Sequence, residues 1–211
     1  RILGGLFAGA VGDALGYQVE FKSRAAIRKQ YGETGLTQPR GRLVVSDDTQ
    51  MTLYTADGLM TALAAEGPKR PEQILARIRY AYLAWFRTQR DDWTASATGL
   101  SQHRDLWAVR APGSTCLAAL HTGARGTIAK PINDSKGSGG VMRVAPLGLI
   151  PSIDADEAFR LAHAAAALTH GHPSGRLSAA AFASLLRDLL DETPMPTALA
   201  RMEARREAAP G

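Results

Sequence analysis

The sequence predicts an all-α fold, a compact multi-helix domain, and three observations predict it. Apolar residues recur at three- and four-residue intervals over long stretches. Strand-like alternation is confined to Arg42 to Val45. The breaks between periodic stretches carry Gly and Pro, as helix ends do. The 211 residues are 45% hydrophobic and 21% charged, which suits one globular domain with a sizeable core. No apolar run nears the roughly 18 residues of a membrane span.

The first helix is marked by Ile2, Leu3, Leu6, Phe7, Ala10, Val11, Ala14 and Leu15 at helical spacing. Gly4, Gly5, Gly9, Gly12 and Gly16 run through it. Glycine weakens a helix, so this density predicts close packing against another helix or a ligand. A second helix is expected from about Asp48 to Glu66, with Leu53, Leu59, Met60 and Leu63 inward and Gly67-Pro68 as its stop. A third covers roughly Pro71 to Arg87 and carries Ile74, Ile78, Tyr82 and Trp85. Residues 88 to 115 read as irregular, punctuated by Pro112-Gly113. A short helix spans Thr115 to His121, and a polar, glycine-rich loop runs from Thr122 to Gly140. Asp154 caps a helix reaching His170, with Glu157 three residues on, and Gly171 and Pro173 stop it. Helices from Ser178 to Leu190 and from Thr197 to Arg206 complete the chain. No repeat, low-complexity linker or second domain interrupts residues 1–211.

The net charge is +5, from 25 basic and 20 acidic residues. The arginines are scattered. Arg201, Arg205 and Arg206, interleaved with Glu203 and Glu207, read as a solvated helix face. No basic stripe with interleaved aromatics appears, so no nucleic-acid partner is expected, and no membrane either. The single cysteine, Cys116, excludes an internal disulfide and a Cys-based zinc site. Its apolar neighbours through Leu120 mark it as a buried small hydrophobe. A reducing, cytoplasmic setting is expected. Arg1 opens no signal-peptide pattern, and the missing initiator Met suggests a trimmed start.

Four constellations carry candidate chemistry. In Ser46-Asp47-Asp48-Thr49-Gln50-Met51, two carboxylates sit between hydroxyl residues where a helix begins. Such residues cap helices by accepting from free backbone N–H groups. They are also the hard oxygen ligands that Mg²⁺, Mn²⁺ or Ca²⁺ prefer. Asp13, in Gly12-Asp13-Ala14-Leu15-Gly16, is an acid among apolar residues, either a satisfied structural group or a site residue. Glu20 follows it, as a surface or a site acid. Asn133 to Arg143 holds Gly137, Gly139 and Gly140, whose N–H groups could converge on an anion as a nest, or form a plain flexible loop. A helix opening after Gly140 would add its dipole, and Lys136 and Arg143 could supply counter-charge. The run is not a Walker A loop. In Thr169-His170-Gly171-His172-Pro173 the i, i+2 spacing does not suit a zinc pair, and His170 could simply cap carbonyls.

Taken in order, these segments resemble the ADP-ribosylglycohydrolase family, of the dinitrogenase reductase-activating glycohydrolase and ADP-ribosylhydrolase type. The matching runs are Gly12 to Gly16 with Glu20-Phe21, Ser46 to Met51, Arg110-Ala111-Pro112-Gly113, Gly137 to Pro146, and Thr169 to Pro173. The resemblance spans about residues 4 to 185. It implies an all-helical domain with a two-metal Mg²⁺ or Mn²⁺ site. By similarity Ser46, Asp47 and Asp48 bind metal, and Glu20 and Asp47 are the catalytic acids. The loop of Ser135, Lys136, Gly137, Ser138, Gly139 and Gly140 would hold the diphosphate. His170 falls near the nucleotide, and Asp13 and Met142 join the substrate-binding set.

The implied activity is hydrolytic removal of ADP-ribose from modified protein side chains, so the partners are an ADP-ribosylated protein and ADP-ribose. The anomeric carbon would lose its leaving group through an oxocarbenium-like transition state. The chain departs from the family in one respect: the second metal motif, G-D-x-D-[ST], is absent. The expectation is a domain incomplete at its C-terminus. The alternative is an inactive module of the same fold that binds ADP-ribose or blocks an ADP-ribosyltransferase.

Overall fold

A computed structural model of the chain describes residues 1–67, 70–90 and 99–209. Helices and turns make up these residues, and no strand occurs among them. Arg42 to Val45 is a bend followed by irregular coil, with no strand among the described residues, contrary to the alternation noted there. No described helix is long and apolar enough to cross a membrane.

The centre is an antiparallel helix pair. α3 (Asp47–Ala64) and α4 (Pro71–Thr88) run side by side. The pairing is fixed by Gln50 against Trp85, Thr55 against Tyr82 and Gly58 against Ile78. Trp85 Nε1 donates to Gln50 Oε1 at 3.1 Å, and the Thr55 and Tyr82 hydroxyls lie 2.7 Å apart. Both bonds satisfy polar atoms inside a core built from Met51, Tyr54, Ile78, Tyr82 and Trp85. α3 stops at Ala64, two residues short of the expected end, and Pro68 lies outside the described residues. Met60 and Leu63 are exposed rather than inward, while Leu59 is buried, because the buried face follows Met51, Tyr54, Thr55, Gly58 and Ala62.

α7 (Ala155–Ala167) and α8 (Pro173–Leu190) pack behind this pair. Asp154 caps α7 as expected, accepting from Glu157 N at 2.7 Å. α7 ends at Ala167 rather than His170; the His170 backbone N–H closes the Ala166 carbonyl at 2.9 Å, while its ring turns to Thr169. Pro173 does not only end a helix. It occupies the first turn of α8, where a missing N–H is harmless, and His172 is the N-cap. α8 therefore begins five residues earlier than the periodicity indicates. α9 (Met195–Ala208) closes the chain against α8. Its arginines are not merely solvated: Arg205 bonds Asp188 and Asp156 at 2.6 Å each, and Arg201 also reaches Asp188.

Two helices hold the rim. α1 (Ile2–Gly16) packs against α3, but only Ala14 is buried along it. No neighbour lies within 4 Å of a Cβ placed at Gly4, Gly9, Gly12 or Gly16, so the close packing expected of these glycines is not seen among the described residues. Leu3 and Phe7 stay exposed. α2 (Arg24–Tyr31) was not foreseen. Ser23 caps it and Gly32, at φ 88°, ends it. Between α4 and α7 lie two short 3₁₀ turns, Gly99–Gln102 and Arg104–Leu106, then α5 (Ser114–His121). A third 3₁₀ turn, Ser138–Arg143, leads into α6 (Ala145–Gly148). Residues 91–98, part of the irregular segment, lie outside the described residues.

Candidate active site

The start of α3 is the organising point. Ser46 caps the helix, its Oγ accepting from Asp48 N at 3.1 Å. Asp13, arriving from α1, binds the same turn with both carboxylate oxygens. It accepts from Ser46 N (2.9 Å), Ser46 Oγ (2.6 Å), Thr49 N (3.1 Å) and Thr49 Oγ1 (2.5 Å). Two backbone N–H groups that a helix start leaves open are thereby satisfied by a carboxylate from another helix. Asp13 is thus a structural clamp on the Ser46 to Thr49 turn.

The Arg110 to Gly113 run straps the other side. Arg110 O accepts from Asp47 N at 2.9 Å, Arg110 Nη1 donates to Val45 O at 3.3 Å, and Gly113 N donates to Asp47 Oδ2 at 3.1 Å. Ala111 sits at φ 55°, a left-handed conformation that costs a non-glycine residue about 1–3 kcal/mol and concentrates at functional sites.

Asp47 and Asp48 therefore lie side by side, Asp47 buried and Asp48 half-buried. Burial pushes the Asp47 carboxyl up to about 7, with the charges of Asp48 and Glu20 adding and the Gly113 N–H opposing. Asp48 is raised to about 6, first by burial, then by Asp13 and Glu20. Adjacent carboxylates that resist ionisation are a mark of functional clefts.

A cavity of about 250 Å³ opens above them. It collects Glu20, Asp47, Asp48, Gly137, Ser138, Gly139, Met142 and His170. Eight of the thirteen sequence-selected residues thus share one hollow, from segments spread over 150 positions (20 to 170). The other five do not line it. Ser46 lies beneath, bonded as described. Asp13 faces a separate apolar hollow of about 450 Å³ between α1 and α3, which Asp48 also borders. The Ser135 hydroxyl pairs with Thr115 at 3.0 Å and accepts from Gly137 N at 3.2 Å. Lys136 is exposed, and Gly140 is buried against Gly175 O and the Ala166 side chain.

The glycine loop differs from a nest opening an α-helix. Gly137, Gly139 and Gly140 all keep negative φ, and Ser138–Arg143 is a 3₁₀ turn. Glycine is needed here for space: a Cβ on Gly139 would stand 2.7 Å from His170 Cε1 and 2.8 Å from Cys116 Sγ. Ser138 and Gly139 begin the turn, where leading N–H groups lack intrahelical acceptors. Arg143 offers no counter-charge to the cavity. It is fully buried, 4.3 Å from the Tyr82 ring centroid, and Nη2 donates to Ala165 O and Thr169 Oγ1.

Several cavity residues have no role assigned to them from the sequence, although Ala111 and Gly113 belong to a matching run and Asn133 opens the glycine segment. Gly113, Ala111, Ser114 and Thr115 line the cavity beside Cys116, which is buried as expected. Asn133 ties the glycine loop to the histidine segment, accepting from Ser135 N and Gly171 N and donating to Thr169 O at 2.7 Å. Its Asn-Asp-Ser turn chemistry was a usable signal. His170 is buried and held down to about 4, by burial first and then by the Arg143 charge, so it is a neutral imidazole. His172 points elsewhere, its Nδ1 accepting from Ser174 N at 3.0 Å.

The donor set has the chemistry of a hard-cation site, since carboxylates held above their usual range gain from a divalent neighbour. It is short in number. No group of three or more His, Cys, Asp or Glu is placed for a metal among the described residues, against the roughly six oxygens Mg²⁺ takes.

A family model described as ADP-ribosylglycohydrolase matches residues 1–209. An uncharacterized protein of Archaeoglobus fulgidus is 30% identical over 92% of this chain and 59% of its own length. The uncharacterized protein YegU of Escherichia coli is 30% identical over 74% of this chain and 44% of its own. The ADP-ribosyl-[dinitrogen reductase] glycohydrolase of Rhodospirillum rubrum is 28% identical over 82% and 52%. The chain thus spans about half the length of these curated relatives. With a match covering nearly every residue, and with the helical architecture agreeing, the chain belongs to the ADP-ribosylglycohydrolase family.

Proposed function

We propose that the protein hydrolyses the glycosidic bond joining ADP-ribose to a protein side chain, and that the cavity above Asp47 and Asp48 is where it does so. One observation supports this reading: paired carboxylates, a third acid, a glycine turn and a neutral histidine, from four separate segments, converge on one hollow. An ADP-ribosyl group needs recognition of a diphosphate and of a ribose whose anomeric carbon becomes electron-poor. The hollow is lined by carboxylates, by a glycine turn and by a histidine.

In this reading Asp47, Asp48 and the Ser46 hydroxyl hold a divalent ion, Mg²⁺ or Mn²⁺, which when bound supplies Lewis-acid activation of water and of ribose hydroxyls. Asp47 and Glu20, both lining the cavity, would exchange a proton with the attacking water or the leaving nitrogen or oxygen. Their negative charge also stabilises an oxocarbenium-like transition state. The turn from Gly137 to Gly139 binds the diphosphate, positioning the reacting carbon from a distance. A cytoplasmic location suits this substrate class.

The test is ADP-ribose release from a panel of ADP-ribosylated proteins, with the full-length protein and its Glu20→Gln variant. Release should be metal-dependent, and the variant should lose about 10²–10⁴-fold in kcat. ADP-ribose binding without release from any substrate would instead identify a non-hydrolysing recognition module.

A further inference from the structure

We propose that Thr169 and Arg143 act as positioning residues that hold His170 in its Nε2–H tautomer, presenting a neutral hydrogen-bond donor to an anionic oxygen of the ligand. The proposal rests on the cavity being the ADP-ribosyl site.

Arg143 can only donate. Its Nη2 lies 2.7 Å from Thr169 Oγ1, so that oxygen accepts. The guanidinium has little freedom to do otherwise, since Nη2 also donates to Ala165 O at 3.2 Å and the group stacks on Tyr82. The Thr169 hydroxyl has one proton left to place. Two acceptors are near: His170 Nδ1 at 2.8 Å, and the Cys116 sulfur, whose thiol interacts with Thr169. Sulfur is a weak acceptor, and here it already faces Arg143 Nη1 at 3.6 Å. The imidazole nitrogen therefore takes the proton's hydrogen bond, and Nδ1 must be bare. A neutral ring with a bare Nδ1 carries its hydrogen on Nε2.

That edge of the ring faces Gly137 and Gly139. A Cβ on Gly137 would lie 3.3 Å from Nε2 and one on Gly139 3.0 Å away. No side chain stands between the Nε2–H and the cavity because both positions are glycine. Burial and the nearby Arg143 charge keep the ring neutral. His170 thus donates without adding a charge that would compete with a bound cation.

The test is a ¹H–¹⁵N long-range correlation spectrum of the histidine rings at neutral pH, on the full-length wild-type protein and its Thr169→Val and Thr169→Ser variants. ADP-ribose affinity is measured on the same samples. The expected result is a His170 Nε2–H tautomer in wild type and Thr169→Ser, mixed tautomers in Thr169→Val, and affinity lowered about tenfold in Thr169→Val only. A wild-type Nδ1–H tautomer would overturn the relay. Unchanged affinity in Thr169→Val would overturn the donor role. If wild type binds no ADP-ribose at all, the reading of the cavity fails, while the spectrum still decides the tautomer.

Discussion

Asp13 shows how one side chain sets a site it does not line. Its carboxylate receives four hydrogen bonds from Ser46 and Thr49 and so fixes the turn on which Asp47 and Asp48 stand. Asp13→Ala should destabilise the fold by about 3 kcal/mol, because two backbone N–H groups lose a charged acceptor. In a domain of this size that is a Tm lowered by roughly 6–12 °C, read by thermal denaturation. Asp13 was legible in the sequence as an anomaly, an acid among apolar and glycine residues. Its role was not, because the partners lie more than thirty positions away.

The titrating residues predict a shaped pH profile. Asp47 and Asp48 have raised values in the folded state, near 7 and 6, so the stability they contribute is complete below pH 4 and lost as pH rises through those values. His163 and His170 are lowered to about 4, so their contribution is complete above pH 6.5 and lost as pH falls towards 4. The two pairs oppose each other between about pH 4 and 6.5. Above that range Asp47 alone retains a slope, and stability should decline towards pH 7.5. Urea denaturation in the presence of a chelator checks this. Asp47→Asn should abolish the decline above pH 6.5, and an unchanged decline would assign it to another group.

Among the elements, the pairing of α3 with α4 is the most demanding. A Cβ on Gly58 would lie 2.7 Å from Ile78 Cα and 2.8 Å from Arg77 O, both backbone atoms that cannot swing aside. Gly58→Ala should therefore cost about 2–3 kcal/mol despite raising helix propensity, measurable as a shifted denaturation midpoint with an unchanged m value. The main helices were legible because their buried faces repeat regularly, as Ile74, Ile78, Tyr82 and Trp85 do along α4. α2 was not, since eight residues with no buried member leave little apolar period to detect. The start of α8 was misread because Pro173 serves equally as a stop and as a first-turn residue. The glycine loop was legible in the sequence, but what its glycines contribute was not, because that depends on residues distant along the chain. Its glycines supply room beside His170 and Cys116, not left-handed backbone.

On the scale of the whole molecule, what the fold does is bring Glu20, the Ser46 to Asp48 turn, the Arg110 to Gly113 strap, the Gly137 turn and His170 to one place. The family was legible from these runs in order, although no single run decided it, because each short motif also has a purely structural use. The cavity itself could not be read from the sequence: it depends on how α1, α3 and the segments near α5 and α8 pack. The central claim is that this cavity cleaves an ADP-ribosyl bond with Asp47 and a divalent ion. The most direct measurement is the rate of ADP-ribose release by the full-length protein and its Asp47→Asn variant, with Mg²⁺ or Mn²⁺ and again in excess chelator. Chelator should abolish release and Asp47→Asn should lower it by about 10²-fold or more, with the variant still folded. Equal release by the variant, or release undiminished by chelator, would contradict the claim.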